Sequence, residues 1–283
     1  MRGGKNVLLS EYFFIFEPVF RLHFMDKLEA LKNNLKGYGK LCIAYSGGVD
    51  SAFLLSIAYN VLGENVLAVL IDSPVLARRD RKEAITLLEK IGVNYKVIKE
   101  SPFVSQEFCE NIRLRCYYCK QINYKSIREV AKQSGIEWVA DGQNADDALS
   151  DDRPGAKAAQ KLGVISPLID CGLTKENIRF YSKQIGLPTW DKPSNACLAT
   201  RLPYGFEITA ERLAVVEAAE ETLRRRGMEG CRVRWHDSVA RIEAPRRFFE
   251  IIMNTEAITE EIKALGFKYV TLDLEGFRSG SMN

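Results

Sequence analysis

Short apolar runs alternate with amphipathic stretches through the first two thirds of the chain, and each pair reads as a buried strand followed by a helix. Leu41-Cys42-Ile43-Ala44-Tyr45 is continuously apolar over the length of a strand, and residues 50–62 continue with helical spacing. Residues 65–72 predict a second buried strand, and 79–91 an amphipathic helix stopped at Gly92. The pattern repeats with a short strand over 95–98, a helix over 119–134 stopped by Gly135, a strand over 138–140 and another over 164–169. This alternation predicts an α/β fold: a parallel sheet with helices on both faces, whose ligands bind beyond the carboxyl ends of the strands.

The pattern changes over 187–205, where Pro188, Pro193 and Pro203 interrupt any period, and this stretch reads as a passage between domains. Beyond it the spacing predicts a helix over 209–226, a hairpin over 232–243 turning at His236-Asp237-Ser238, a helix over 245–265 and a strand over 268–274. Two helices over three short strands make a small α+β domain. The expected division is therefore 25–200 for the main domain and 201–283 for a substrate-binding and oligomerisation domain. Residues 1–24 read as an extension. Tyr12-Phe13-Phe14-Ile15-Phe16 is apolar, but Glu11, Glu17 and Pro18 cut it into pieces too short to span a bilayer. Leu28, Leu31 and Leu35 take up helical spacing only after Met25, which makes Met25 a candidate start beside Met1.

Composition narrows the classes. With 283 residues and 46% hydrophobic side chains, the chain can bury a full core. Forty basic against 37 acidic side chains leave a net charge of +3, too balanced for a global field that would recruit nucleic acid or an acidic membrane. A cytoplasmic location is expected. Seven cysteines are an odd count for a disulfide framework, and Cys116-Tyr117-Tyr118-Cys119 points to metal or redox chemistry.

Directly behind the first apolar run stands Ser46-Gly47-Gly48-Val49-Asp50-Ser51. The glycines let backbone approach an anion, the two serine hydroxyls can donate to it, and a helix starting near Asp50 aims its unpaired amides at the same point. The Lys of a GxxxxGK[ST] loop is absent, so γ-phosphoryl transfer is not indicated. An SGGxDS loop resembles that of the pyrophosphatase-loop family, whose members cleave ATP to AMP and pyrophosphate and so activate a substrate by adenylylation. Magnesium is the usual partner of the diphosphate, and Asp50 with Asp146 or Asp147 are its candidate ligands, although each also suits a helix N-terminus. Asp72 ends the second strand, where it could reach a ribose or simply form the turn before Ser73-Pro74.

Cys116 and Cys119 can fill two corners of a metal or iron–sulfur site, and Arg113, Arg115 and Lys120 surround them. No second CxxC and no suitably spaced His completes a zinc site. Cys42 and Cys171 read as buried strand or loop residues. Cys197 stands in a polar, proline-rich loop poorly suited to core packing. The SGGVDS loop, Cys116-Tyr117-Tyr118-Cys119-Lys120, the run from Pro193 through Cys197 to Pro203-Tyr204-Gly205, and the tail Glu275-Gly276-Phe277-Arg278-Ser279-Gly280-Ser281-Met282-Asn283 together resemble the LarE family of ATP-dependent sulfur transferases over about residues 26–283.

That resemblance implies conversion of a pyridinium dicarboxylate mononucleotide to its thiocarboxylate on the way to a nickel-pincer cofactor. One branch of the family consumes the sulfur of a lone cysteine at the position of Cys197. The other matches Cys116, Cys119 and Cys197 and holds a [4Fe-4S] cluster with one iron open to sulfide. Having all three, this chain is expected in the cluster branch, with an unknown sulfide donor. The resemblance also implies a phosphate site at Arg232, Arg234 and Arg278 and an active-site carboxylate at Glu243. Read alone, Arg232 and Arg234 also suit a solvated strand edge. Tyr117 and Tyr118 are expected to pack a loop against the core. A homo-oligomer is expected. A cluster-dependent tRNA thiolase is the nearest rival, and the charge balance argues against it.

Overall fold

The computed structural model describes residues 26–149, 154–193, 197–278 and 281–282; the expected extension over 1–24 lies outside them. A first helix, α1 (26–36), buries Leu31 and Leu35 completely. Then follow β1 (Leu41–Tyr45), α2 (Val49–Leu62), β2 (Val66–Asp72), α3 (Arg78–Ile91) and β3 (Asn94–Lys99). A short α4 (Gln106–Cys109) precedes α5 (Arg115–Gln133) and β4 (Trp138–Ala140). The strands form one parallel sheet in the order β3-β2-β1-β4.

The period-two alternation of β1 explains the layering. Leu41, Ile43 and Tyr45 enter the core on one face with Phe53, Leu54 and Leu55 of α2, while Cys42 enters the core on the other with Tyr124 and Ile127 of α5. A strand buried on both faces needs a continuous apolar run, and β1 has one. Because β1 lies between β2 and β4, chain order reverses beside it, and the crevice beyond the carboxyl ends of β1 and β4 is the topological switch point.

Four short helices complete this part: α6 (Ala145–Ala148), α7 (Pro154–Lys161), α8 (Pro167–Asp170) and α9 (Lys175–Gln184). The strand expected over 164–169 does not form. Only Ile165 bridges to Ala140, because Pro167 has no amide to donate and instead begins α8 after Ser166. The helix expected from 119 begins at Arg115, so Cys116 and Cys119 lie in its first turns and not in a helix-poor stretch; Tyr117 and Tyr118 accordingly meet edge-to-face on α5, their ring centroids 5.4 Å apart.

After the 3-10 turn Leu198–Arg201 come α10 (Ala210–Arg224), β5 (Arg232–His236), β6 (Val239–Glu243), α11 (Phe249–Asn254), α12 (Glu256–Ala264) and β7 (Tyr269–Leu272). The second sheet runs β5-β6-β7, antiparallel then parallel, over its own core of Leu223, Val233, Ile242, Ile258 and Ile262. The hairpin turns where expected, with Asp237 left-handed at φ 54°. The single helix expected over 245–265 is broken at Thr255, whose ψ of 89° lies outside the helical range. A further apolar cluster joins Val75 and Phe108 to Leu198, Leu202, Leu213 and Val216. It seats α10 and the 197–208 loop over the carboxyl ends of the first sheet.

Candidate active site

The turn between β1 and α2 is shaped by its glycines and closed by its serines. Gly47 has φ +73°, and a Cβ there would stand 2.6 Å from the Cβ of Ala84 on α3, so neither the backbone angle nor the space admits a side chain. Ser46 and Ser51 hydroxyls meet at 3.0 Å, and the Ser46 amide donates to Ser51 Oγ at 3.2 Å. Gly48 caps α2 without a side-chain acceptor, which leaves the amides of the first turn to an outside anion. Gly142 closes the other side: a Cβ on it would come within 2.7 Å of the Ser51 nitrogen. The turns after β1 and β4 therefore touch backbone to backbone at the switch point.

Asp50 stands in the first turn of α2, and its Oδ2 accepts from Lys175 Nζ at 2.6 Å. Its Oδ1 is buried and accepts from no partner among the described residues, which leaves a carboxylate oxygen for a cation. Lys175 begins α9, where Thr174 and Asn177 form a capping box, and its amide donates to Asp146 Oδ2 at 2.7 Å. Asp147 closes the α6 capping box with Asn144. Asp50, Asp146 and Asp147 all line one cleft of roughly 900 Å³ together with the 46–51 loop and Lys175. This donor set suits magnesium, which takes one or two carboxylates and completes its shell with phosphate oxygens and water. Asp72 is placed elsewhere: it pairs with Arg81 at 3.0 Å and does not line the cleft.

Cys116 and Cys197 line the same cleft. Cys119, one helical turn beyond Cys116, is pushed up to about 12 by burial, with the neighbouring Cys197 and Cys116 adding to the shift. Burial also raises Cys197, and Cys116 adds to it, against Arg115 and Arg201. The three thiols therefore form one electrostatic group although Cys197 is distant in sequence. Among the described residues no group of three His, Cys, Asp or Glu side chains converges tightly enough for a single ion. A cluster offers separate irons to separate thiolates, so a spaced set of three soft sulfur donors fits it by its chemistry.

The basic side of the cleft contains Arg201, Arg224 and Arg232, with Glu220 among them. Arg201 is 3% exposed and forks onto Glu220 at 2.8 and 3.2 Å while donating to the Cys197 carbonyl at 3.3 Å. Arg232 and Arg234 are 7% and 6% exposed, which overturns the solvated-edge alternative; α10 covers β5, with the Val233 amide donating to Glu220. Arg234 does not line the cleft. It donates to Glu243 at 2.8 and 3.0 Å and to the Thr200 carbonyl at 3.1 Å. Glu243 is fully buried and also accepts from Arg241 and Ser281, anchoring the chain's end beneath the Cys197 loop. Arg278 is exposed, pairs with Glu275 and lies outside the cleft lining.

Residues 25–128, from α1 through most of α5, match the family model of NAD synthase. An uncharacterized protein of Synechocystis sp. is 39% identical over 261 residues, covering 91% of this chain and 97% of the relative. The pyridinium-3,5-bisthiocarboxylic acid mononucleotide synthase of Lactiplantibacillus plantarum is 35% identical over 251 residues, covering 88% and 91%. The chain belongs to the LarE family. A glutamine-hydrolyzing GMP synthase chain of Thermoplasma volcanium is more distant, 29% identical over 226 residues, covering 72% of this chain and 70% of the relative. As a LarE-family protein with this loop it is an ATP-using enzyme. No described helix is long and apolar enough to cross a membrane.

Lys175, Arg201 and Glu220 also line the cleft of this LarE-family chain, although they were not among the candidate site residues read from the sequence. Lys175 had a local signal, the Thr174-Lys175-Glu176-Asn177 helix start. Arg201 stood within the Pro193–Gly205 run without being singled out and Glu220 had no signal, because their pairing depends on α10 docking against the 198–201 turn.

Proposed function

We propose that the protein is an ATP-dependent sulfur transferase that converts a carboxylate of a pyridinium dicarboxylate mononucleotide to a thiocarboxylate in nickel-pincer cofactor synthesis. The observation that supports this best is the sharing of one cleft by the SGGVDS loop and the thiols Cys116 and Cys197. The substrate carboxylate attacks the α-phosphorus of ATP and expels pyrophosphate, giving a carboxyl-adenylate. The α2 amides, Ser46, Ser51 and Lys175 stabilise the charge that develops on the departing oxygens. A sulfur nucleophile then adds to the activated carbonyl and AMP leaves. The attacking carboxylate is already ionised and sulfide is a strong nucleophile, so no dedicated base is required. Arg232, on the basic side of the cleft, suits the mononucleotide phosphate because a guanidinium offers paired donors.

Asp50 and Asp146 would hold a magnesium ion, which supplies counter-charge for the pyrophosphate. Cys116, Cys119 and Cys197 would hold a [4Fe-4S] cluster, which supplies an iron open to sulfide. The test is anaerobic reconstitution with iron and sulfide, Mössbauer spectroscopy, and turnover with ATP, magnesium and the mononucleotide. AMP, pyrophosphate and a thiocarboxylate product are expected, with Cys197 intact by mass analysis and with Cys116→Ser and Cys119→Ser losing both brown colour and multiple turnover. Dehydroalanine at 197 would instead make Cys197 a consumed sulfur donor. Salt-sensitive tRNA binding with thiolation of the RNA would favour the tRNA thiolase.

A further inference from the structure

Arg115 begins α5 immediately before Cys116 and is only 4% exposed. Its Nη1 donates to Asn111 Oδ1, and its guanidinium carbon lies 4.3 Å from the centroid of the Tyr204 ring. Its Nε is buried with no partner, and no carboxylate pairs with it among the described residues. A buried guanidinium with no counter-charge is costly, and an aromatic face offsets only part of that cost.

The surroundings hold this cation firmly. Asn111 is fully buried in the left-handed region at φ 57°, and its Nδ2 donates to the Pro203 carbonyl at 2.6 Å. The Gly205 amide returns to the Asn111 carbonyl at 3.2 Å, and the Ile208 amide reaches the Cys109 carbonyl at 2.7 Å. The start of α5 is thereby joined to the loop carrying Cys197, with Arg115 at the join. Two arginines flank the joined segments, Arg115 directly before Cys116 on α5 and Arg201 on the Cys197 carbonyl. Arg201 is neutralised by Glu220. Arg115 pairs with no acid among the described residues.

We propose that Arg115 is the counter-cation of the sulfur centre, a positioning residue that balances the negative charge of Cys116, Cys119 and Cys197 when they ligate iron. The inference rests on the cluster reading above and concerns a residue that is neither ligand nor substrate contact. Three thiolates and an iron–sulfur core gathered in a partly buried site carry net negative charge, and reduction adds more. A fixed cation nearby favours the more negative state, so it raises the reduction potential and aids assembly.

The experiment compares wild type, Arg115→Lys and Arg115→Met after anaerobic reconstitution, reading iron per chain and the midpoint potential from an EPR-monitored redox titration. Arg115→Met is expected to bind less iron and to shift the potential to more negative values, and Arg115→Lys to return both most of the way to wild type. Wild-type iron content and potential in Arg115→Met would overturn the inference while leaving the cluster reading intact. Equal loss in the Lys and Met variants would also overturn it, because shape and not charge would then be what matters. Wild type without iron would overturn the cluster reading, and this inference with it. If Arg115→Met does not fold, Arg115→Lys decides: retained iron and potential support the inference, and lost iron overturns it.

Discussion

Gly142→Ala tests whether the contact between the turns after β1 and β4 governs nucleotide chemistry. The added Cβ would lie 2.7 Å from the Ser51 nitrogen, 2.9 Å from Ser51 Cα and 3.2 Å from the Asp50 carbonyl carbon. All three are backbone atoms in the first turn of α2, so no side chain can rotate away. An ordinary contact starts near 3.4 Å, and the two turns must separate by about 0.7 Å. Overpacking of this kind costs about 1–3 kcal/mol. At about 2–4 °C per kcal/mol for a chain of this size, the melting temperature should fall by about 2–12 °C. The same displacement moves the α2 amides, Ser51 and Asp50 relative to Asp146 and Lys175. A misplacement of about 1 Å costs on the order of 100-fold in rate, so kcat/KM for ATP should fall about 10- to 100-fold. The assay is pyrophosphate release against ATP concentration, with scanning calorimetry on the same preparation. Wild-type kcat/KM with a lowered melting temperature would refute the reasoning, since the contact would then be structural alone.

Further outcomes follow from other contacts. Lys175→Met removes the cation beside Asp50 and should lower kcat/KM for ATP about 100-fold in the same assay; an unchanged value would remove Lys175 from the phosphate site. Arg234→Met leaves the fully buried Glu243 with Arg241 and Ser281 only, and urea unfolding should show a loss of about 3 kcal/mol. Cys42 and Cys231 are each pushed up to about 12 by burial from an ordinary 9.0. The native chain then retains protons that the unfolded chain releases, so their contribution to stability is full below about pH 9 and is lost as pH rises towards 12. The urea midpoint of Cys42→Ala/Cys231→Ala should therefore decline less steeply than wild type across that window, and an identical slope would exclude these thiols as its source.

Local chemistry wrote the first sheet into the chain. β1 could be read because a strand buried on both faces must be continuously apolar, and the 46–51 turn because an anion site of this kind needs glycines and hydroxyls in consecutive positions. The strand expected over 164–169 gives way because apolar spacing marks burial, whereas Pro167 decides which backbone hydrogen bonds can form; the break of the 245–265 helix at Thr255 carries no such local mark. Cys116 and Cys119 were visible as a pair, but their approach to Cys197 depends on Asn111, Arg115 and Tyr204 joining two distant segments.

The alternation behind the parallel α/β sheet, the glycine loop after β1 and the Cys116–Cys119 pair are legible in the chain alone, because each is a local pattern of residue types. Tertiary structure alone decided that Lys175 meets Asp50, that Arg201 meets Glu220 and that Arg234 and Glu243 are sealed beneath the Cys197 loop. Such pairs are set by how whole elements dock. Their energy comes from attraction between opposite charges contributed by separate segments, stronger where water is scarce, and no local pattern along the chain records it.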